Sequence, residues 1–452
     1  MTKILIEAGF VIPEARADAV VSGGAVAIDG DQIVGIGYAE ELRSVFSPER
    51  TIRVPGSAVL PGLVNTHTHL VGGFNKAITE DISGPGGLFG RARPLQEKFV
   101  KAENIYYPGF VHGMEMLMTG TTTINETWWN QSESARIVRD LGIRAVLAEM
   151  VREADVARTS PTNLERNWNR SLAEHGFEKA EELIAKWHGF DNGRITCRIG
   201  PHAADMLSEW GLLRCKQMAE QYAMGIHMHL AQVPGETEYV LANTGKRPVS
   251  YLNELGILGP DTMGIHCVFL NDDDIEIMAS TGTSMSHTAY LVAKRAYFPP
   301  MPKIYGSKML VSLGSDWCAN DMWKIMRTAI LFGRVLSGRV DILSAYDALR
   351  MATIDGARAL GLADQIGTLA VGKKADIIVV DMQKAWCQPI RDADVITNLV
   401  YNANGSDVTH VLVDGKILVE ESSLRSADQH EMFREAQSQA NLVWGAASEL
   451  FD

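Results

Sequence analysis

The chain is predicted to be an α/β protein, a (β/α)8 TIM barrel carrying a small β-sandwich built from both chain ends. Three observations predict this. Between residues 58 and 365, short apolar runs alternate with longer helical stretches. The two ends of the chain are written instead as short strands and tight turns. Histidines and one aspartate fall repeatedly where the central strands end.

Each element follows from local pattern. In residues 1–57, the runs 3–6, 25–28 and 32–36 read as strands, punctuated by Gly23-Gly24 and by Asp29-Gly30-Asp31, a hairpin signal. Residues 366–425 return to the same grammar, with strands at 375–380, 410–413 and 417–419 and an Asp414-Gly415 turn. The two segments are expected to pair as one discontinuous sandwich. In the middle, strands are expected at 58–64, 121–125, 144–147, 195–199, 225–229, 263–266, 282–286 and 309–313, with helices such as 209–222 and 272–279 between them. Strands interleaved with helices in this way build a barrel whose active site lies at the strands' C-terminal ends. A last helix, within 426–452, carries Met432, Phe433, Ala436, Ala440, Val443 and Trp444. It is expected to pack on its own barrel, with a dimer contact as the alternative.

Composition excludes several function classes. At 46% hydrophobic and 21% charged, the chain can bury a large core. A net charge of −13 without any Lys/Arg-rich run argues against nucleic-acid binding. The cysteines, Cys197, Cys215, Cys267, Cys318 and Cys387, form no CxxC pair, which argues against disulfides and thiolate metal sites. No signal-peptide pattern opens the chain, and no apolar run approaches the ~18 residues of a membrane span. The expectation is a cytoplasmic enzyme with a small-molecule substrate and neither a nucleic-acid nor a membrane partner.

The chemistry lies in the strand ends. His67 and His69 close the first barrel strand, two residues apart and therefore on one side of it. His229 ends a later strand, His266 the next, and Asp316 follows a further one. A closed barrel would gather them, and imidazoles around an open position are the logic of a catalytic divalent ion. Singly, each feature has a plainer reading. An isolated HxH is a weak signal, Asp316 alone fits a helix N-cap, and His227, two residues before His229, reads as a structural histidine.

The segment Pro61-Gly62-Leu63-Val64-Asn65-Thr66-His67-Thr68-His69 resembles the first-strand signature of the amidohydrolase superfamily, and 367–376 is similar to its accessory β-domain. Gly200-Pro201-His202-Ala203 and 351–358 resemble the branch holding atrazine chlorohydrolase, melamine deaminase and the S-adenosylhomocysteine deaminases. The resemblance spans essentially the whole chain. It implies a mononuclear site with His67, His69, His229 and Asp316 as ligands and His266 beside the attacking water. No lysine is placed as the carbamylated bridge of binuclear relatives. Zinc is the default ion; iron, cobalt or manganese suit the same donors. The ion lowers the pKa of bound water from about 15.7 toward 7. Asp316 would then shuttle the proton, and His266 would steady the developing charge. A symmetric homo-oligomer is the fold-level expectation.

One departure bears on the reaction. Deaminases of this branch carry Glu three residues after the third ligand histidine, whereas this chain has Gln232. A glutamine donates and accepts hydrogen bonds but cannot pass a proton to a ring nitrogen. That favours hydrolysis of an acyclic amide, aryl urea or (thio)carbamate, with Gln232 as a neutral donor. Deamination or dechlorination of a heteroaromatic ring is the alternative, and a non-catalytic barrel scaffold would be marked by the lack of any metal. A second departure follows His287, where Thr288-Ala289-Tyr290 replaces the expected Pro and Ser-Asn pair. Substrate-facing candidates are Gln232, His287, His202, Glu126, Trp128 and Trp129. The two tryptophans would stack on an aryl group or else pack beneath their loop, and Glu126 would meet a substrate N–H or be a solvated loop charge. The glycine-rich loop from Val71 to Arg91 suits either a lid or a passive surface loop.

Overall fold

The structure, a computed structural model, describes residues 2–82, 90–154 and 166–451. Residues 83–89 of the expected lid lie outside the described residues.

Both chain ends build one nine-stranded sheet. Its halves join where Arg50–Pro61 pairs antiparallel with Ile377–Asp381, placing Val59 opposite Val379, and parallel with Lys3–Val11. The sheet rolls over until the strand Gln32–Tyr38 meets the segment before Ile377, through Ile33 N–H to the Lys373 carbonyl at 2.9 Å. Ile4, Ile6, Val26, Ile28, Ile33, Val59, Ile377, Val379 and Leu412 fill the space between as one apolar cluster. This is the small sandwich.

The sequence expectation of a barrel strand from residue 58 needs a correction. Residues up to Pro61 belong to the sandwich, and the first barrel strand is Leu63–Thr68. The change of sheet falls at Gly62, where a Cβ would sit 2.0 Å from Thr122 Oγ1. Only a residue without a side chain lets the chain pass there.

The barrel continues through Thr121–Trp128, Arg144–Val151, Ile195–Cys197 with Gly200–Pro201, Ile226–Leu230, Thr262–His266, Ser284–His287 and Val311–Leu313. All their pairings are parallel. Two bridges close the ring, Ile199 with Ile226 and Thr68 with Asp316. Helices follow the strands, among them Ala102–Met118, Gln131–Leu141, Arg170–Trp187, Glu209–Tyr222, Asp272–Thr281 and Met322–Ser337. Ser208 caps the fourth of these and Asn271 the fifth, each accepting a backbone N–H of its first turn. Among the described residues no helix is long and apolar enough to cross a membrane.

The last helix, Gln429–Ala446, packs on its own barrel as expected. Ala440 and Val443 join Val71, Phe74, Leu95 and Trp128 in one cluster, and Trp444 Nε1–H donates to the Phe74 carbonyl at 3.2 Å. This covers the chain just beyond His69.

Candidate metal centre and active site

The barrel interior is polar along one seam, and that seam sets the site. The Thr66 hydroxyl meets Ser286 Oγ at 2.7 Å and Ser312 Oγ at 2.9 Å. Backbone N–H groups of Ser315 and Asp316 both donate to the His67 carbonyl at 2.9 Å, while Asn65 Oδ1 accepts from Ser315 N–H at 3.0 Å. The last strand is thereby zipped to the first, and Asp316 lands beside the HxH pair.

Regular pleating does not aim that pair. Pairing with the second strand runs Asn65 to Ile124 and then Thr68 to Glu126, so one strand spends an extra residue. Such a bulge re-aims side chains beside active sites. Beyond it, His67, His69 and His229 bring one ring nitrogen each within 4.8 Å of one another, and His67, His266 and a carboxylate oxygen of Asp316 do the same. Asp316 lies 3.8 Å from the Nε2 of His67 and of His69, and 3.5 Å from that of His266. All five side chains are buried. The helix N-cap alternative for Asp316 is removed, because Asp321 caps Met322–Ser337.

The far nitrogens are each occupied. His69 Nδ1 meets the Thr127 carbonyl, His229 Nδ1 the His202 carbonyl at 3.1 Å, His266 Nδ1 the Thr288 hydroxyl at 2.7 Å, and His67 Nδ1 the Nε2 of His227 at 3.0 Å. Partners of this kind fix a ligand histidine's tautomer and direction. The sequence did not identify them, since two are carbonyls that any residue would supply. His227 and Thr288 carried signals, one as the first His of an HxH and one as an unexpected residue after His287.

Electrostatics suit a cation. Burial, and then His67, push His69 down to about 4, and burial pushes His229 and His266 well below their usual range. Burial thus disfavours a positive charge on these rings and favours the form in which a ring nitrogen can ligate. Burial pushes the Asp316 carboxyl up, but His67, His69 and His266 outweigh it and hold the group ionised, well below the usual carboxylate range. His67 Nε2 and His266 Nε2 are buried without a hydrogen-bond partner. Buried polar atoms are nearly always satisfied, so this donor set of imidazoles plus one carboxylate fits a divalent ion. Backbone strain accompanies it, with φ of +70° at His266 and +57° at Asp316. Such conformations are uncommon outside glycine and cluster at functional sites.

The substrate-facing candidates divide. Gln232 follows the fifth strand's end, its N–H and that of Ala231 each held at 2.8 Å by the buried Glu236 carboxylate, a residue the sequence reading passed over. His202 stands edge-on to His229 with ring centroids 5.4 Å apart, and Arg93 Nη2 meets its Nε2 at 3.2 Å. The four other candidates are held in contacts of their own. Asn125 reaches the Thr66 carbonyl across the interior, so by strand alternation Glu126 points outward. There it accepts the Leu70 N–H at 2.9 Å and meets Gln131 and Ser134. It holds the turn after His69 and is not a solvated loop charge. His287 lies on the strand face opposite Ser286 and sits edge-on to Tyr305, away from the imidazole cluster. Trp128 packs beneath the loop in the cluster with Val71 and Phe74, its ring 4.8 Å from that of His69. Trp129 lies tilted against Trp128, with ring centroids 4.5 Å apart and an interplanar angle of 57°, and the Arg152 guanidinium lies 4.2 Å over the Trp129 ring.

The Amidohydrolase family profile matches residues 58–418. The chain belongs to the amidohydrolase family. Two relatives match this amidohydrolase along nearly its whole length. The 5'-deoxyadenosine deaminase of Methanosarcina barkeri is 33% identical over 445 residues, 97% of this chain and 98% of the relative. The 5-methylthioadenosine/S-adenosylhomocysteine deaminase of Moorella thermoacetica is 33% identical over 438 residues, 96% of this chain and 98% of the relative. Among solved structures, an adenosine deaminase from Xanthomonas campestris with bound zinc is similar, with a TM-score of 0.89, 27% identity and 98% of each chain covered. This amidohydrolase is a metal-dependent hydrolase of carbon–nitrogen bonds other than peptide bonds, acting on small molecules. Both of these relatives are named as deaminases of adenosine-type compounds.

Proposed function

We propose that this amidohydrolase removes the exocyclic amino group from a heteroaromatic ring, with adenine nucleosides as the first class to test. The observation that carries the proposal is full-length similarity to adenosine-type deaminases together with a complete His67, His69, His229, His266 and Asp316 cluster. His67, His69, His229 and Asp316 would hold one divalent ion, zinc by likeness to the zinc-bound relative. When bound, the ion would supply a water acidic enough to ionise near neutral pH. Asp316, ionised and 3.5 Å from His266 Nε2, accepts the proton of the attacking water and passes it to the leaving nitrogen. His266, held by the Thr288 hydroxyl, stabilises the charge that develops on the ring. His202, beside His229, is the nearest candidate for contact with the rest of the substrate.

One residue favours a second reading. Gln232 replaces the carboxylic acid that would protonate a ring nitrogen, and an acyclic amide, urea or carbamate has no such nitrogen. The metal-loaded chain should therefore be screened against 5'-deoxyadenosine, methylthioadenosine and S-adenosylhomocysteine beside aryl ureas and carbamates, reading ammonia and arylamine in parallel. Ammonia from a nucleoside supports the proposal; arylamine alone moves the assignment to the second reading. Gln232→Glu is expected to raise ring deamination about 10²-fold or more, the usual worth of a positioned general acid. A variant that gains nothing while the parent deaminates would mean that position 232 supplies no proton here.

A further inference from the structure

We propose that His227 is a positioning residue of the cation site, its Nε2 accepting the Nδ1–H of His67 and so holding the His67 Nε2 lone pair toward the shared ligand position. The inference rests on the cation site of the reading above but on no particular substrate. His227 reads from sequence as a structural histidine, and the structure identifies the contact it makes. Its Nε2 lies 3.0 Å from His67 Nδ1, and the two rings meet edge-on, with centroids 5.2 Å apart and an interplanar angle of 89°.

The direction of this hydrogen bond follows from chemistry. A neutral imidazole has one N–H and one lone pair. His67 Nε2 is buried without a partner and lies 3.8 Å from Asp316, among the other ring nitrogens. If Nε2 is to ligate, the proton must sit on Nδ1, and His227 Nε2 must then be the acceptor. His69, His229 and His266 are oriented by a carbonyl, a carbonyl and a hydroxyl. His67 alone of the four relies on another imidazole, so one side chain can be changed without touching the backbone.

Position adds to the argument. The first and fifth barrel strands are not neighbours; one pairs with the second strand and the other with the sixth. The His67–His227 contact therefore crosses the barrel. Two residues on, the same fifth strand presents His229. One hydrogen bond thus sets both the rotation of His67 and the separation between the HxH pair and the third ligand. An apolar side chain of similar volume would preserve the packing but not the tautomer.

The test uses the full chain, stripped of metal and titrated with zinc against a chromophoric chelator. His227→Leu is expected to weaken zinc binding about 10- to 100-fold, the usual loss when such a partner is removed. His227→Gln should return most of that affinity, because its amide oxygen can accept the same N–H. Metal-free melting temperatures of both variants report packing separately. Equal zinc affinity in His227→Leu and wild type would overturn the proposal, as would a Gln variant no better than Leu. A second readout needs no variant. Two-bond nitrogen-15 spectra of histidine-labelled, zinc-loaded wild type should show His67 protonated at Nδ1, and a proton on Nε2 overturns the proposal. A wild-type chain that takes up no zinc would sink the cation site itself, which separates that failure from the failure of His227.

Discussion

Asp316→Asn is expected to lower kcat/KM by about 10²–10⁴-fold on whichever substrate the screen selects, a range set by general acid–base catalysis. The substitution keeps size and shape but removes two properties at once. An amide cannot accept the proton of the attacking water, and it carries no charge to balance a cation. Asp316 is buried at 1% exposure and faces the Nε2 atoms of His67, His69 and His266. No solvent can stand in for its charge there. Its Oδ1 also accepts the Trp317 N–H at 2.7 Å, so the side chain is already held in place and the loss should fall on kcat rather than on folding. Measurement of kcat and KM, with zinc content and melting temperature as controls, separates the two. An Asn variant within tenfold of the parent, at equal metal content, would remove Asp316 from the proton path.

Much of this site was legible in the sequence because strand ends are. A histidine closing an apolar run is placed at the barrel mouth by chain topology alone, which is why His67, His69, His229, His266 and Asp316 could be gathered without coordinates. The substrate side was less legible. Glu126 and His287 were expected just beyond strands ending at 125 and 286, whereas the strands run on to Trp128 and His287 and include both residues, an extension that a fully buried strand does not mark because both of its faces are covered. The bulge at Asn65–Thr68 and the positive φ at His266 and Asp316 leave no mark in hydrophobic periodicity. Carbonyl partners such as that of Thr127 are invisible in principle, since they are backbone. In the fold, the first barrel strand was set too early because Ala58 to Pro61 and Leu63 to Val64 form one apolar run, and a single glycine divides them between two sheets.

Arg144→Leu is expected to destabilise the protein by about 3–5 kcal/mol, the cost of leaving buried carboxylates without their partner. Arg144 opens the third barrel strand at 1% exposure and forks onto Asp376, with Nε to Oδ2 at 2.8 Å and Nη2 to Oδ1 at 3.0 Å. Its Nη2 also meets Asp414 at 2.5 Å. Asp376 and Asp414 flank sandwich strands, and the Asp376 carbonyl accepts Gly62 N–H at 3.0 Å, where the chain passes from one sheet to the other. A single guanidinium thus ties barrel to sandwich at their seam. Arg144→Lys keeps the charge but loses the planar fork, so its loss should be smaller yet measurable. Pairing Arg144→Leu with Asp376→Leu should recover part of the deficit, because a buried ion pair replaced as a whole by apolar groups is often near neutral. Urea unfolding followed by tryptophan fluorescence and by circular dichroism gives both the size and the cooperativity of the effect. If the seam couples the two units, the parent unfolds in one transition and Arg144→Leu separates the two probes. An Arg144→Leu variant that keeps the parent's midpoint and its single transition would show that the apolar contacts across the seam suffice without this ion pair.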